Sequence, residues 1–489
     1  MQVTKLKTKL LKSEMAKMFI QNTFWSVFGS IVSKIIVFVT WVVVGRILGS
    51  SNYGIFGIIR DTIVMFSSFA GLGLGLTASK FVAEYLEHDK EKASRIIGLT
   101  MLFGIIAGVV VGGSVFISAP LLSQLILNNS DFTNDMRIAS VMLFFTSLNG
   151  AQIGALQGLS AYKTIAKINI WQALSCAPML VLATYWGGLY GSVVGFAFYN
   201  VIICVFSHNA LKKESERNGV CINYRDCLKE SHLFWSYSFP AFLSGVLVTP
   251  MKWISEVVLI NVPNGSRQLG IFMAAQTLGS IFLMFTTMLN APFITAMAKH
   301  RTDDINNFFN RLNIIAPWAI GLFLTLPFMF FPEIGELVWG KDYSGSSFRL
   351  CFVLTMFFNL IMMYKQGIAR ILSVHDLQWL GVLSNTLWGV SLLGGIWLLK
   401  SFGAIGLAGS YVFAYVISTI VVLPFYQRRN LIPCNTVFSK YALLLWCITI
   451  GVLFLSIGEV PVFTRGVLFL LAAPMYFFIF KKYIQQEKL

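Results

Sequence analysis

Residues 20–44 read IQNTFWSVFGSIVSKIIVFVTWVVV, a run that carries a single charge, Lys34. At 1.5 Å per residue such a run spans about 37 Å as helix, enough to cross a hydrocarbon core about 30 Å thick. Basic residues precede it, as in a signal peptide, but the run is too long and has no small-residue cleavage site, so a retained first span is expected. A lysine near the centre of a span costs roughly 2.5–3.5 kcal/mol, so it faces a wet cavity or a partner.

The rest of the chain repeats this pattern. Of 489 residues, 56% are hydrophobic and only 12% charged, with a mean hydropathy of +0.73. An all-α polytopic membrane protein is expected. About fourteen transmembrane helices can be placed, at 20–44, 53–76, 96–118, 137–160, 168–186, 188–207, 234–260, 268–292, 312–332, 348–372, 377–399, 403–425, 441–457 and 462–480. The net charge of +16 follows the membrane rather than a soluble surface. With the N-terminus inside, cytoplasmic segments hold 25 of the 37 Lys and Arg and outer loops hold four. This asymmetry predicts that both termini are cytoplasmic, and it leaves no basic soluble domain to bind nucleic acid. Seven cysteines, none in an outer loop, do not make a disulfide framework.

An internal repeat organises the spans. Phe24-Trp25-Ser26 opens span 1 and Phe234-Trp235-Ser236 opens span 7. Gly54-Ile55-Phe56 and Gly270-Ile271-Phe272 start spans 2 and 8 at an offset of 216. Near that offset Asn169 matches Asn385, and Gly188 with Gly191 matches Gly403 with Gly406. Two six-helix lobes in parallel repeat are expected, related by an axis along the membrane normal. The expected domains are a basic amphipathic segment at 1–19 lying on the inner leaflet, an N-lobe at 20–207, a cytoplasmic inter-lobe linker at 208–233 and a C-lobe at 234–425. Residues 426–489 form an appended helix pair and tail.

The stretch Gly45-Arg46-Ile47-Leu48-Gly49-Ser50-Ser51-Asn52-Tyr53-Gly54-Ile55-Phe56, leading into a span that ends Gly71-Leu72-Gly73, resembles the Wzx-type polysaccharide and O-antigen repeat-unit flippases. These form the polysaccharide transporter branch of the multidrug/oligosaccharidyl-lipid/polysaccharide exporter superfamily. The resemblance implies a bacterial inner-membrane protein that moves an undecaprenyl-pyrophosphate-linked oligosaccharide from the inner to the outer leaflet. It also implies a V-shaped pair of lobes working by alternating access, alongside a polysaccharide polymerase and a chain-length regulator.

The residues can be weighed beside that implication. A pyrophosphate cannot cross hydrocarbon bare, and Lys or Arg facing a cavity would replace its hydration. The candidates for substrate binding are Lys34, Lys252, Arg60, Lys365 and Arg370, forming a ladder of positive charge that starts low on span 10. Lys34 and Lys252 fall at nearly equivalent positions of the repeat. Lys365 and Arg60 lie seven residues from a span end, about 10 Å, so their head groups can also snorkel to the interface. Two acids share the interior. Glu256 lies one turn after Lys252, where a salt bridge lowers the insertion cost. Asp61 follows Arg60, and since adjacent helix positions point about 100° apart, Asp61 is expected to be the freer acid. Either could carry a coupling ion, H+ or Na+; no other cofactor is expected.

Span 7, with Pro240, Pro250 and Lys252, is expected to be bent. Gly71-Leu72-Gly73-Leu74-Gly75 reads as close packing or a hinge rather than a phosphate loop. Trp186, Trp339, Tyr343 and Tyr53 are expected in an outer aromatic belt, and Trp41 or Trp253 as rings on which sugar could stack. Asp303-Asp304 reads as solvated surface. Three rival functions remain open: a lipid II flippase, a cation-coupled drug exporter, which would favour acidic or apolar cavity walls, and a membrane glycan polymerase or transferase. The last would need a large loop, and the longest outer loop, Ala119 to Met136, has 18 residues.

Overall fold

The computed structural model describes side chains over residues 28–484, apart from 240–241, 243–245, 291–292, 294–296, 298–309, 373–376, 378, 429–431, 433–435 and 459. It describes backbone alone at residues 2–27, 305–309, 373–374, 378 and 485. Among these the chain forms fourteen α-helices and no strand. They are α1 (Gln2–Gly71), α2 (Leu74–Tyr85), α3 (Lys90–Leu127), α4 (Thr133–Gly158) and α5 (Tyr162–Arg217). After residue 247 come α6 (Val248–Ile260), α7 (Gly265–Thr287), α8 (Ile305–Phe330), α9 (Glu333–Trp339), α10 (Ser346–Val374), α11 (Gln378–Leu399), α12 (Gly403–Arg428), α13 (Lys440–Ile457) and α14 (Val462–Gln485). Of segment 1–19, residues 2–19 are helical in backbone; the segment's side chains, Pro240 and Asp303-Asp304 lie outside the described residues.

Ten helical segments are long and apolar enough to cross a membrane, fewer than the fourteen expected spans because three of them each hold two. Phe28–Gly71, Tyr162–Arg217 and Trp379–Arg428 contain 44, 56 and 50 residues, at least about 66 Å of helix. Each folds back on itself. Gly188 (φ 55°, ψ −131°) reverses α5, and Gly403 (φ 61°, ψ −132°) makes the same turn between α11 and α12. Only glycine adopts such a backbone cheaply. After each turn a second glycine lets the arms close: a Cβ on Gly191 would lie 1.9 Å from the Ala183 carbonyl oxygen, and one on Gly406 2.0 Å from that of Leu399. Both pairs sit at matching repeat positions. In α1 the break is at Gly49 (φ 69°, ψ 169°), and Arg60 stacks on Trp41 across it at 5.2 Å. The remaining expected span, the seventh, is described as a helix only from Val248.

The chain divides into two compact units, residues 1–47 with 59–246, and 48–58 with 247–489. The expected linker at 208–233 falls inside the first unit. Leu211, Val220, Leu233 and Phe234 of that region are buried against Val82, Ile97 and Met101, and Arg95 pairs with Glu230 at 3.0 Å. Apolar burial therefore holds the segment on the first unit. Start-of-span residues 234–238 form a π-turn, where Thr77 and Ser238 hydroxyls meet at 2.5 Å. The glycine run is a packing device. A Cβ on Gly75 would lie 2.8 Å from the Gly150 carbonyl oxygen, and one on Gly154 2.2 Å from that of Gly75, the small-residue contact by which membrane helices approach.

In the second unit, residues 48–58 pack against the start of α7 through a reciprocal contact. A Cβ on Gly54 would lie 1.9 Å from the Ser266 carbonyl oxygen, and one on Gly270 1.8 Å from that of Ser50. Adding the repeat offset of 216 to Ser50 and Gly54 gives Ser266 and Gly270, so the two contacts are one contact seen twice. Tyr53, Trp339 and Tyr343 do not form an outer belt. They are 1%, 1% and 0% exposed, with Tyr53 5.5 Å from Trp339 and Trp339 5.4 Å from Tyr343 between ring centroids. Trp186 alone of the expected belt is open, at 79%. The α13–α14 hairpin packs on α8 through Trp318, which stacks on Trp446 at 5.1 Å and meets Phe480 edge-on at 5.5 Å. Its other face presents Phe463, Leu470 and Phe477, at least 68% exposed, a surface suited to lipid rather than water.

Arg465 locks that hairpin down. Its guanidinium donates to both Glu333 carboxylate oxygens, at 2.6 and 3.2 Å, and to the Phe330 carbonyl at 2.8 Å. Burial alone would raise the Glu333 carboxyl, but the Arg465 hydrogen bond and the charges of Arg465 and Arg349 outweigh it and hold the group below its ordinary value of 4.5. A depressed carboxyl contributes stability above its unfolded pKa and loses it as pH falls through the folded one. Glu333→Gln is expected to destabilise the purified protein at pH 7 by about 1–3 kcal/mol, and to flatten the loss of melting temperature expected of the parent below pH 4.5.

Alanine normally stabilises a helix relative to glycine by up to about 1 kcal/mol. Gly54→Ala and Gly270→Ala should instead each lower the melting temperature in detergent, because a methyl must displace backbone. Gly113→Ala, whose Cβ would meet nothing within 4 Å, should leave it unchanged or raise it.

Candidate functional site

In the second unit α10, α11 and α12 enclose a cavity of about 370 Å3, bounded on one side by Val248 of α6. Its chemistry comes from three helix faces. Lys365 and Gln366 project from α10, Ser384, Asn385 and Trp388 from α11, and Tyr415, Ser418 and Tyr426 from α12. Residues 415, 418, 422 and 426 recur at helical spacing, so one stripe of α12 faces the cavity.

Lys365 is the charge in this cavity, and no acidic residue lines it among the described residues. Its ammonium donates to the Ser418 hydroxyl at 2.6 Å and lies 5.7 Å from the Tyr415 ring centroid, close enough for a cation–π attraction. Trp388 packs beside Tyr415 at 5.5 Å. Gln366 Oε1 and Trp388 Nε1 are buried without a hydrogen-bond partner in the structure, leaving an acceptor and a donor beside a cation. An ammonium, amides, hydroxyls and aromatic faces are the groups that bind an oxyanion attached to a polyhydroxylated ring.

The other predicted cations stand elsewhere. Arg370 is 3% exposed and outside this cavity, one turn further along α10. It donates to Asn290 Oδ1 at 2.6 Å, to Asn313 Oδ1 at 3.1 Å and to the Thr286 carbonyl at 2.6 Å, while Asn313 donates to the Gly367 carbonyl at 2.5 Å. Its donors are engaged in tying the end of α7 to α8 and α10, which makes it a brace rather than the lowest rung of a ladder.

Lys252 pairs with Glu256 at 3.5 Å, the lysine side chain 37% and the glutamate 1% exposed. The turn spacing thus produces the bridge expected of it. Pro250 lies in the first turn of α6, where a missing N–H costs no helix bond. In the first unit Arg60 donates through Nε to Asp61 Oδ1 at 2.8 Å, which corrects the expectation that neighbours on a helix pair poorly. The long arginine side chain curls back to reach the shorter carboxylate. Trp41 lies under Arg60 at 5.2 Å and meets Phe196 edge-on at 5.8 Å, so the ring proposed for sugar carries a guanidinium. Lys34 is exposed on the first arm of α1, two turns from Trp41 on the same face.

The sequence reading missed Gln366, Trp388, Tyr415, Ser418 and Tyr426. The signal was there in span 12, where polar positions at intervals of three and four interrupt an apolar run. Asn385 had been noted only as a repeat match.

The family described as polysaccharide biosynthesis protein matches residues 19–295. The chain is 21% identical over 289 residues to the EPS I polysaccharide export inner membrane protein EpsE of Ralstonia nicotianae, covering 56% of this chain. It spans 64% of that relative's length, less than two thirds. Among solved structures, an inward-facing multidrug resistance MATE family transporter of the MOP superfamily superposes with a TM-score of 0.62 at 15% identity, covering 82% of this chain and 94% of that one. A MOP superfamily transporter from Pyrococcus furiosus, for which reverse polarity of the binding pocket is taken to suggest a different function, gives 0.57 at 16% identity over 84% and 95%. The Vibrio cholerae MATE transporter VcmN gives 0.60 at 14% over 85% and 97%. At these identities the structural likeness establishes the fold.

The two neighbouring cations of α10 should separate experimentally. Arg370→Lys keeps the charge but loses most of the fork, and is expected to cost at least about 2 kcal/mol and to lower the melting temperature. Lys365→Ala is expected to leave melting unchanged or higher, because it removes a buried charge held by one hydroxyl.

Proposed function

The chain belongs to the polysaccharide biosynthesis protein family, and we propose that it flips an undecaprenyl-pyrophosphate-linked oligosaccharide, a repeat unit of O-antigen or another surface polysaccharide, from the cytoplasmic to the periplasmic leaflet by alternating access. The cavity around Lys365 carries this reading. Among the described residues it offers one cation, no acid, two amides and three aromatic rings, which suits an anionic phosphate with an attached sugar and disfavours the cationic cargo of a drug exporter. The multi-pass helical fold and the export role of the Ralstonia relative support a transporter in the bacterial inner membrane. The charge asymmetry of the loops supports cytoplasmic termini.

Within this reading Lys365 meets the phosphate, and Lys34 and Lys252 offer further positive charge along the path. Arg60 contributes through its stacked position on Trp41, while Arg370 acts as a positioning residue that fixes α10. Glu256 and Asp61 are the groups through which H+ or Na+ would couple. Protonation of Glu256 or a cation on it weakens its hold on Lys252 and releases that ammonium toward phosphate; a proton on Asp61 does the same for Arg60. Transport then follows because the two states bind substrate and ion differently. A polysaccharide polymerase and chain-length regulator would receive the flipped unit. Lipid II, also a pyrophosphate lipid, is the second reading, favoured by the same cation.

The reading is tested by assaying lipid-linked glycan translocation in cells at matched expression. Lys365→Ala is expected to lower the rate at least tenfold, with Lys34→Ala and Lys252→Ala each lowering it severalfold and Lys252→Arg retaining most of it. Normal translocation by all three alanine variants would falsify the charged-path mechanism.

A further inference from the structure

A second cavity, of about 380 Å3, lies in the first unit between the two arms of α5, where the first arm begins and the second ends. It is built in two layers. Ile168, Trp171 and Phe206 line the part that falls within the spans, and Trp171 is 62% exposed there and Phe206 36%. Lys167, Lys213 and Arg217 line the part beyond them. The single acid in the lining, Glu214, accepts from Thr164 Oγ1 at 2.6 Å and from Arg217 Nη1 at 3.0 Å, so Arg217 matches its charge. Lys167 and Lys213 make no hydrogen bond or ion pair among the described residues, and both are exposed. Two unbalanced positive charges therefore rim an apolar floor.

We propose that this groove binds the headgroup of an anionic phospholipid in the cytoplasmic leaflet, with its phosphate between Lys167 and Lys213 and an acyl chain over Trp171 and Phe206. The depth of the residues supports this. Trp171 lies one turn inside Lys167 and Phe206 two turns inside Lys213, roughly 6 and 10 Å along the helix, the span from a phosphate to the upper acyl chain. Exposed tryptophan at the level where headgroups meet hydrocarbon is an interfacial anchor. Basic pockets between helices on the cytoplasmic side suit anionic headgroups. A free phosphate ion would use the lysines but has no use for the exposed rings below them. The lysines come from the opposite arms of α5, so a bound phosphate bridges the arms and clamps the hairpin.

The test uses the full chain purified in neutral detergent, with melting temperature and native mass spectrometry read after adding phosphatidylglycerol, phosphatidylethanolamine or glycerol phosphate. Phosphatidylglycerol is expected to raise the melting temperature by several degrees and to remain bound in the gas phase. Lys167→Gln with Lys213→Gln should reduce both effects at least threefold, while Lys92→Gln, a half-buried lysine outside the groove that rests on the Tyr85 ring, should retain them. Trp171→Ala should weaken retention of the lipid without changing the melting temperature measured in its absence. An undiminished effect in the double variant, or an equal effect of phosphatidylethanolamine, overturns the proposal. An equal effect of glycerol phosphate alone also overturns it, because the site then reads phosphate and not lipid.

Discussion

A charge placed inside hydrocarbon has to be answered by something within reach, and the molecule answers its intramembrane cations in different ways. Arg370 is answered by two amides and a carbonyl, and Lys252 by a buried glutamate across one helical turn. Arg60 has a carboxylate and an indole face. Lys365 has only a hydroxyl and a ring, with a cavity beside it. Since removing a buried charge from water costs several kcal/mol unless partners restore its solvation, the quality of each answer sorts the cations by role. A guanidinium that is 3% exposed, with three of its N–H groups already donating to protein, is poorly placed to meet cargo. An ammonium with one hydroxyl partner has two donors to spare.

Close backbone approach helps hold the helices that carry these groups, as expected where lipid removes the hydrophobic drive between helices. Gly191 and Gly406 close two hairpins by the same contact. Gly54 and Gly270 make one contact reciprocally. Each pair occupies equivalent places in the two halves of the sequence, so the repeat was retained where backbones touch even though the side chains around it diverged. Large rings are buried as well, in the Tyr53, Trp339 and Tyr343 cluster and in the seat of the last hairpin on Trp318.

Much of the fold was legible because hydrophobic length and glycine position are local signals. The spans at 20–44, 188–207 and 403–425 were readable from runs of apolar residues, and the turns at Gly188 and Gly403 from the repeat. The site was less legible, because depth along a helix does not say which way a side chain points or what comes across from another helix. Lys365 was found as an oddity, while its partners Ser418, Tyr415 and Trp388 belong to other helices and were unremarkable one at a time. The partners of Arg370 were hidden for the same reason: Asn290 and Asn313 lie far from it in sequence. Arg60 and Asp61 show a smaller failure, in which angular spacing of Cα positions ignored the reach of a long side chain.

The central claim is that the Lys365 cavity receives an anionic lipid-linked headgroup. It is tested most directly by labelling Ser384→Cys, on the cavity wall, with a maleimide over the background of the native cysteines. Undecaprenyl pyrophosphate is expected to slow that labelling severalfold, undecaprenol to leave it unchanged, and Lys365→Ala to abolish the protection. Equal protection by undecaprenol, or protection that survives Lys365→Ala, would contradict the assignment of this cavity to a phosphate.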